Sequence, residues 1–104
     1  MPCVRGEVFQ FVARGEGHGQ RGPRFAVVLQ PSYLALSTLV IAPMSTSARH
    51  ALFRPEVTVL NRKTLVLCEQ TTAVNAERLT KPVGSLTVQE MQRVDEALRL
   101  VLDL

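Results

Sequence analysis

Arg24-Phe25-Ala26-Val27-Val28-Leu29-Gln30 is the stretch that decides the fold. Its apolar residues run without a polar break, so it reads as a buried strand. An arginine opens it, directly after the glycine-rich segment Gly15-Glu16-Gly17-His18-Gly19-Gln20-Arg21-Gly22. A second apolar run, Leu39-Val40-Ile41-Ala42-Pro43-Met44, ends in the hydroxyl cluster Ser45-Thr46-Ser47, and a third, Leu65-Val66-Leu67-Cys68, ends in Glu69-Gln70-Thr71-Thr72. Three strands therefore each deliver polar groups at one end. A small β-scaffold builds a site in this way, with rigid strands fixing positions and strand ends supplying chemistry.

Outward from these runs, residues 6–13 carry Val8, Phe9, Phe11 and Val12 and predict a first strand. Residues 14–23 hold four glycines and Pro23 and predict a loop. Strands are expected over 24–30, 38–44, 56–60 and 64–70, with Asn61-Arg62-Lys63 as the turn of a hairpin joining the last two. Pro43 suggests a sheet edge or bulge, and a turn at Lys81-Pro82 precedes a short final strand at Val83-Gly84-Ser85. The period then changes. Thr87-Val88-Gln89-Glu90 is a capping box, and Val88, Met91, Val94, Leu98, Val101 and Leu102 recur at helical spacing. Short antiparallel strands with one terminal helix imply a mainly β protein, a small curved sheet or half-barrel.

The chain's 104 residues make one domain, 1–104, of a size that often completes its core by dimerising. Hydrophobic residues at 46% and charged residues at 20% exclude disorder. No apolar run is long enough to span a bilayer and no signal peptide is evident at the start, so a cytoplasmic protein without membrane contact is expected. Cys3 and Cys68 lie far apart and lack metal spacing; Cys68 is expected to be a small buried residue. A net charge of +3 permits a polyanionic partner without requiring one. Arg14, Arg21 and Arg24 surround the glycine-rich loop, and Arg49, Arg54, Arg62 and Lys63 flank the next loops.

Walker spacing, a carboxylate cluster for metal and a nucleophile elbow are all missing, so neither metal nor cofactor is expected. Trp is absent and aromatics are 5%, which makes a base-stacking platform sparse. Arginine, hydroxyls and backbone amides remain. That set suits transesterification of RNA by its own 2′-hydroxyl, because the substrate carries its nucleophile. The protein must then orient the 2′-oxygen and stabilise charge on the phosphate oxygens. An arginine fork can hold two of those oxygens and a serine or threonine can donate to a third. His18 and His50, both in loops, offer an alternative acid–base pair.

Five segments together carry a family likeness: Arg5-Gly6-Glu7-Val8; the 24–30 run; Ile41-Ala42-Pro43-Met44-Ser45-Thr46-Ser47-Ala48-Arg49; Val66-Leu67-Cys68-Glu69-Gln70-Thr71-Thr72-Ala73-Val74; and the tail from Arg78-Leu79 through Val83-Gly84-Ser85-Leu86 to Val94-Asp95-Glu96-Ala97-Leu98. The chain resembles the MazF/PemK toxins of bacterial toxin–antitoxin systems over essentially its whole length. The resemblance implies an SH3-like (CcdB/MazF-type) barrel with a C-terminal helix. It also implies a homodimer and a metal-independent, sequence-selective endoribonuclease. Cleavage of single-stranded RNA would leave 2′,3′-cyclic phosphate and 5′-hydroxyl ends. A small cognate antitoxin would occupy the RNA groove.

The family's catalytic arginine falls on Arg24 by register, with Phe25 in place of the usual proline and Arg21 as a second candidate. Its catalytic hydroxyl falls on Ser45, with Thr46 adjacent. Gln20, Ser47, Arg49, Glu69 and Gln70 are candidates for RNA contact or support, Glu69 and Gln70 by holding the arginine. The glycine-rich loop is expected to cover bound RNA. Two other readings remain: a CcdB-like gyrase poison acting through an exposed C-terminal helix, and a catalytically degenerate SH3-like binding module. The apolar ending Leu100-Val101-Leu102-Asp103-Leu104 reads as packed, which favours the nuclease.

Overall fold

A computed structural model describes residues 3–12 and 24–104. The strands are β1 (Glu7–Phe11), β2 (Arg24–Val28), β3 (Thr38–Ser45), β4 (Glu56–Val59), β5 (Arg62–Val66), β6 (Thr72–Asn75) and β7 (Leu79–Ser85). Short 3-10 turns at Cys68–Gln70 and Ala76–Arg78 flank β6, and helix α1 (Val88–Leu102) closes the chain. The sheet is antiparallel in the order β4-β5-β3-β2-β1-β7, with β6 beside the first half of β3. This is the expected mainly β, curled half-barrel with one terminal helix.

The continuous apolar runs of β2 and β3 have a simple cause: both faces of these strands are covered. Val27, Ala42 and Met44 point to one side, where Val8, Val57, Val66 and the helical Val94 and Ala97 form the larger core. Ala26, Val28, Leu39 and Ile41 point to the other side and pack with Val74. Side chains alternate faces along a strand, so two cores require a run with no polar break. Gly6 sits at the join between β1 and the helix. Its φ of +93° favours glycine, and an added Cβ would meet Met91 at 3.4 Å.

Several boundaries differ from the sequence reading. β1 ends at Phe11, and Ala13 with the rest of the glycine-rich segment lies outside the described residues. β2 stops at Val28, although Leu29 N–H still bonds Val40 O at 2.9 Å. The Gln30 side chain then replaces strand pairing. Its amide oxygen accepts Val40 N–H at 3.2 Å, and its nitrogen donates to Leu34 O at 2.7 Å and Thr38 O at 3.4 Å. The β4–β5 turn is Leu60-Asn61, both with positive φ (51° and 63°), so Arg62 and Lys63 belong to β5 rather than to the turn.

The strand expected to reach Gln70 ends at Val66, and residues 68–70 coil into a 3-10 turn. Gln70 N–H bonds Leu67 O at 2.9 Å, and the Thr71 hydroxyl donates to Cys68 O at 2.8 Å. Those bonds stay within the turn, so no ladder continues. Pro43 lies in a central strand and not at an edge. Its carbonyl accepts Leu67 N–H at 2.9 Å, so its nitrogen faces the same side, where β3 changes partner from β6 to β5. A missing N–H costs little at such a gap. Lys81 and Pro82 form no turn: they lie inside β7, an edge strand of the sheet, where proline is tolerated.

The helix begins as its capping box predicts. The Thr87 hydroxyl accepts Glu90 N–H at 3.1 Å, and the Glu90 carboxylate accepts Thr87 N–H at 2.8 Å. The second Glu90 oxygen accepts Thr58 N–H at 2.9 Å and ties the helix to β4. The other end differs from expectation. Leu100, Leu102 and Leu104 are 58%, 55% and 83% exposed, so the apolar terminus is presented rather than packed. Helical periodicity buries Val94 and Ala97 and packs Met91, Leu98 and Val101 against the core, which leaves Leu100, Leu102 and Leu104 on the outer side. The packing argument against a gyrase poison therefore falls.

Candidate active site

The site begins with strand register. In the β1–β2 pair Phe11 stands opposite Arg24, and in the β2–β3 pair Phe25 stands opposite Met44. Arg24 and Ser45 each lie one residue beyond that last pair, at adjoining ends of β2 and β3, and line the same cleft. Phe11, Arg24 and Ser45 thus form a row across three neighbouring strands, on the face that carries the smaller core. Directly opposed residues have Cβ atoms about 4.5–5.5 Å apart. The arginine and the hydroxyl, separated by twenty residues of chain, become neighbours through pairing alone.

That row borders a cleft of about 740 Å³. Thr46, Ser47 and Gln70 also line it, as do Arg62, Thr64 and Thr72. Arg24, Thr46, Ser47 and Gln70 are exposed, and Ser45 is half-buried. No carboxylate appears among the described lining residues, which include two guanidiniums and five hydroxyls. Such a lining favours an anion with several oxygen acceptors. Among the described residues no three His, Cys, Asp or Glu side chains gather as a metal site would need.

Ser45 is the most constrained of the hydroxyls. Its Oγ accepts Ser47 N–H at 3.1 Å and Ala48 N–H at 3.0 Å. A hydroxyl has two lone pairs and one hydrogen. With both lone pairs taken, the remaining function of Ser45 is to donate. The same bonds curl the loop after β3 into a turn and present the side chains of Thr46 and Ser47.

Glu69 and Arg49 stand outside this lining. Glu69 is engaged by Arg54, whose Nε and second terminal nitrogen reach the same carboxylate oxygen at 2.9 and 2.5 Å. The remaining Arg54 nitrogen donates to Arg49 O at 3.0 Å, so this arginine ties the hydroxyl loop to the turn that carries Gln70. The Arg54 hydrogen bonds hold the Glu69 carboxyl below its ordinary range despite partial desolvation, and the Arg54 guanidinium is shifted upward in return. Cys68 is buried and its thiol is pushed up to about 11, first by desolvation and then by the Glu69 charge. It is the inert buried cysteine that the sequence suggests. Burial also raises the half-buried Cys3.

Of the sequence candidates, Arg24, Ser45, Thr46, Ser47 and Gln70 come together. Gln20, Arg21, Arg14 and His18 lie outside the described residues, and His50 is exposed and not part of the cleft lining. Phe11, Arg62, Thr64 and Thr72 were missed as site residues. Period-two alternation could have placed Phe11 on the Arg24 face. Arg62 was hidden by the misplaced hairpin turn.

A curled antiparallel sheet with one terminal helix and an arginine–hydroxyl cleft at the strand ends places the chain among small, mainly β half-barrels. The family model of the PemK-like, MazF-like toxins of type II toxin–antitoxin systems matches residues 4–102, and the chain belongs to that family. A Mycobacterium tuberculosis (strain ATCC 25618 / H37Rv) protein, Rv3098A, provisionally named a toxin, is 36% identical over 104 residues, covering 97% of this chain and 98% of that protein. The fold is shared with the Mycobacterium tuberculosis toxin MazF-mt6, with a TM-score of 0.79 at 19% identity over 94% of this chain and 97% of that one. MazF from Deinococcus radiodurans gives 0.78 at 21% identity over 100% and 99%. A mycobacterial endoribonuclease solved in complex with its cognate antitoxin gives 0.80 at 14% identity over 98% and 96%.

Proposed function

We propose that this toxin is an endoribonuclease that cleaves single-stranded RNA sequence-selectively and without metal. The observation that carries the reading is the convergence of Arg24 and the Ser45-Thr46-Ser47 hydroxyls on one cleft lined by cations and hydroxyls. In this mechanism the RNA 2′-oxygen attacks the adjacent phosphorus. A P–O2′ bond forms, the P–O5′ bond breaks, the 2′-hydroxyl proton leaves and the departing 5′-oxygen takes one up. The products are a 2′,3′-cyclic phosphate and a 5′-hydroxyl. Arg24 neutralises the charge growing on the phosphate oxygens, a role suited to a group that stays protonated. Ser45, already a pure donor, hydrogen-bonds one of those oxygens, with Thr46 beside it. Arg62 and Gln70 hold the strand on either side. DNA, lacking the 2′-hydroxyl, binds without being cut.

The same reading gives the chain a cognate antitoxin that fills the cleft, a homodimeric state and a cytoplasmic site of action. Support for the antitoxin comes from the related folds solved with theirs, the mycobacterial endoribonuclease and the Deinococcus radiodurans MazE–MazF pair.

The test is cleavage of a long single-stranded RNA in excess chelator, with wild type and Arg24→Ala compared and product ends mapped. Wild-type cutting to cyclic phosphate ends, lost in the variant, is the expected result. Undiminished cutting by Arg24→Ala would move the arginine's role to Arg21 or the chemistry to the histidines. If wild type left all RNAs intact but inhibited gyrase, the CcdB-like alternative would stand, supported by its exposed helix end.

A further inference from the structure

We propose that Phe11, backed by Arg78, is the stacking platform for one nucleobase next to the scissile phosphate. The inference rests on the ribonuclease reading above and adds a binding subsite to it. The sequence makes aromatic stacking look sparse, with four phenylalanines, one tyrosine and no tryptophan. The fold nevertheless sets two of those phenylalanines, Phe11 and Phe25, on the cleft wall.

Phe11 is the one directly opposite Arg24. A phosphate held by Arg24 therefore brings an attached nucleoside within reach of the Phe11 ring. The ring is held in place from two sides. Its inner part packs against the core of Ala26, Val28 and Ile41, and it remains half-buried. The Arg78 guanidinium lies over it, 4.8 Å from the centroid. Arg78 is itself fixed, because its Nε donates to Val12 O at 2.8 Å while Val12 N–H bonds Arg78 O at 3.0 Å. An aromatic ring of fixed orientation loses little freedom when a base lands on it, and a guanidinium plane extends the stacking surface. Stacking accepts any base, so the platform supplies affinity and placement and leaves the cleavage motif to other residues.

The experiment follows the Arg24 test on the same RNA. A short RNA spanning the mapped cut carries 2′-deoxyribose at the scissile nucleotide to prevent cleavage, and abasic sites are placed one at a time on either side. One flanking abasic site is expected to weaken wild-type binding about tenfold. Phe11→Leu should bind the intact RNA about tenfold more weakly and show no further loss with that abasic site. Phe11→Trp should restore the base dependence. A 2-aminopurine at the sensitive position should be quenched by wild type and Phe11→Trp but not by Phe11→Leu. Equal wild-type affinity for every abasic RNA would overturn the proposal without any variant having to fold. Additive losses in Phe11→Leu would overturn it as well. Wild-type protein that cuts RNA yet shows either result leaves the nuclease reading intact, whereas failure to cut any RNA removes both.

Discussion

The two faces of the central sheet are built by the same alternation and end differently. On the helix side, Val27, Ala42 and Met44 are covered by α1, β4 and β5, and only the last pair, Phe25 and Met44, reaches the cleft. On the far side, Ala26, Val28 and Ile41 form a smaller core that gives way within one step to Phe11, Arg24 and Ser45. A face that runs out of cover is where a small domain can afford polar groups on rigid strands. The contrast separates stability from chemistry, and it can be tested from both directions.

The largest effect is expected from the far-face core. Ile41 is fully buried, and Ile41→Ala should cost about 2–5 kcal/mol in urea unfolding by leaving a cavity. One row over, Arg24→Ala should lower RNA cleavage about 10²–10³-fold in single-turnover assays, the usual loss on removing a preorganised charge-stabilising donor. Ser45→Ala combines both kinds of damage. It removes the donor and leaves Ser47 and Ala48 N–H without their acceptor, so cleavage should fall and stability should drop by about 1 kcal/mol. Ser45→Thr should recover both, as Tm and cleavage rate will show.

On the helix side, Thr87→Ala should lower stability by about 1 kcal/mol through loss of the capping box, with RNA cleavage per folded molecule unchanged. The smallest effect concerns the Arg54–Glu69 pair. The folded Glu69 carboxyl titrates below its unfolded value near 4.5, so its contribution is present above that pH and is lost as pH falls through the folded value. Wild type should therefore lose stability more steeply than Glu69→Gln below about pH 4.5. In Arg54→Ala the Glu69 carboxyl should titrate closer to its ordinary value, as carboxyl-carbon NMR would record.

Much of this was legible in the chain. The apolar runs around Val27 and Ile41 were strands because nothing polar interrupted them, and the helix was legible because Thr87 and Glu90 form a local cap. Local chemistry also hid things. The turn at Cys68–Gln70 looked like strand because its residues are apolar up to Cys68, and only its internal hydrogen bonds coil it. Strand β6 lacked an apolar pattern of its own; pairing with β3 orders it, with Val74 alone buried. Leu60 with positive φ gave no warning of the turn that moves Arg62 into β5.

The amino-acid order alone determined which segments could be strands, where the helix starts, and that an arginine and a run of hydroxyls stand at strand ends. Covalent spacing and side-chain type suffice for those. Tertiary structure decided which groups meet. Antiparallel pairing brought Phe11, Arg24 and Ser45 to one cleft, the tertiary fold gave Glu69 to Arg54, and helix packing left Leu100, Leu102 and Leu104 exposed. Register and burial are set by distant residues competing for the same core, and no single stretch of chain carries that information.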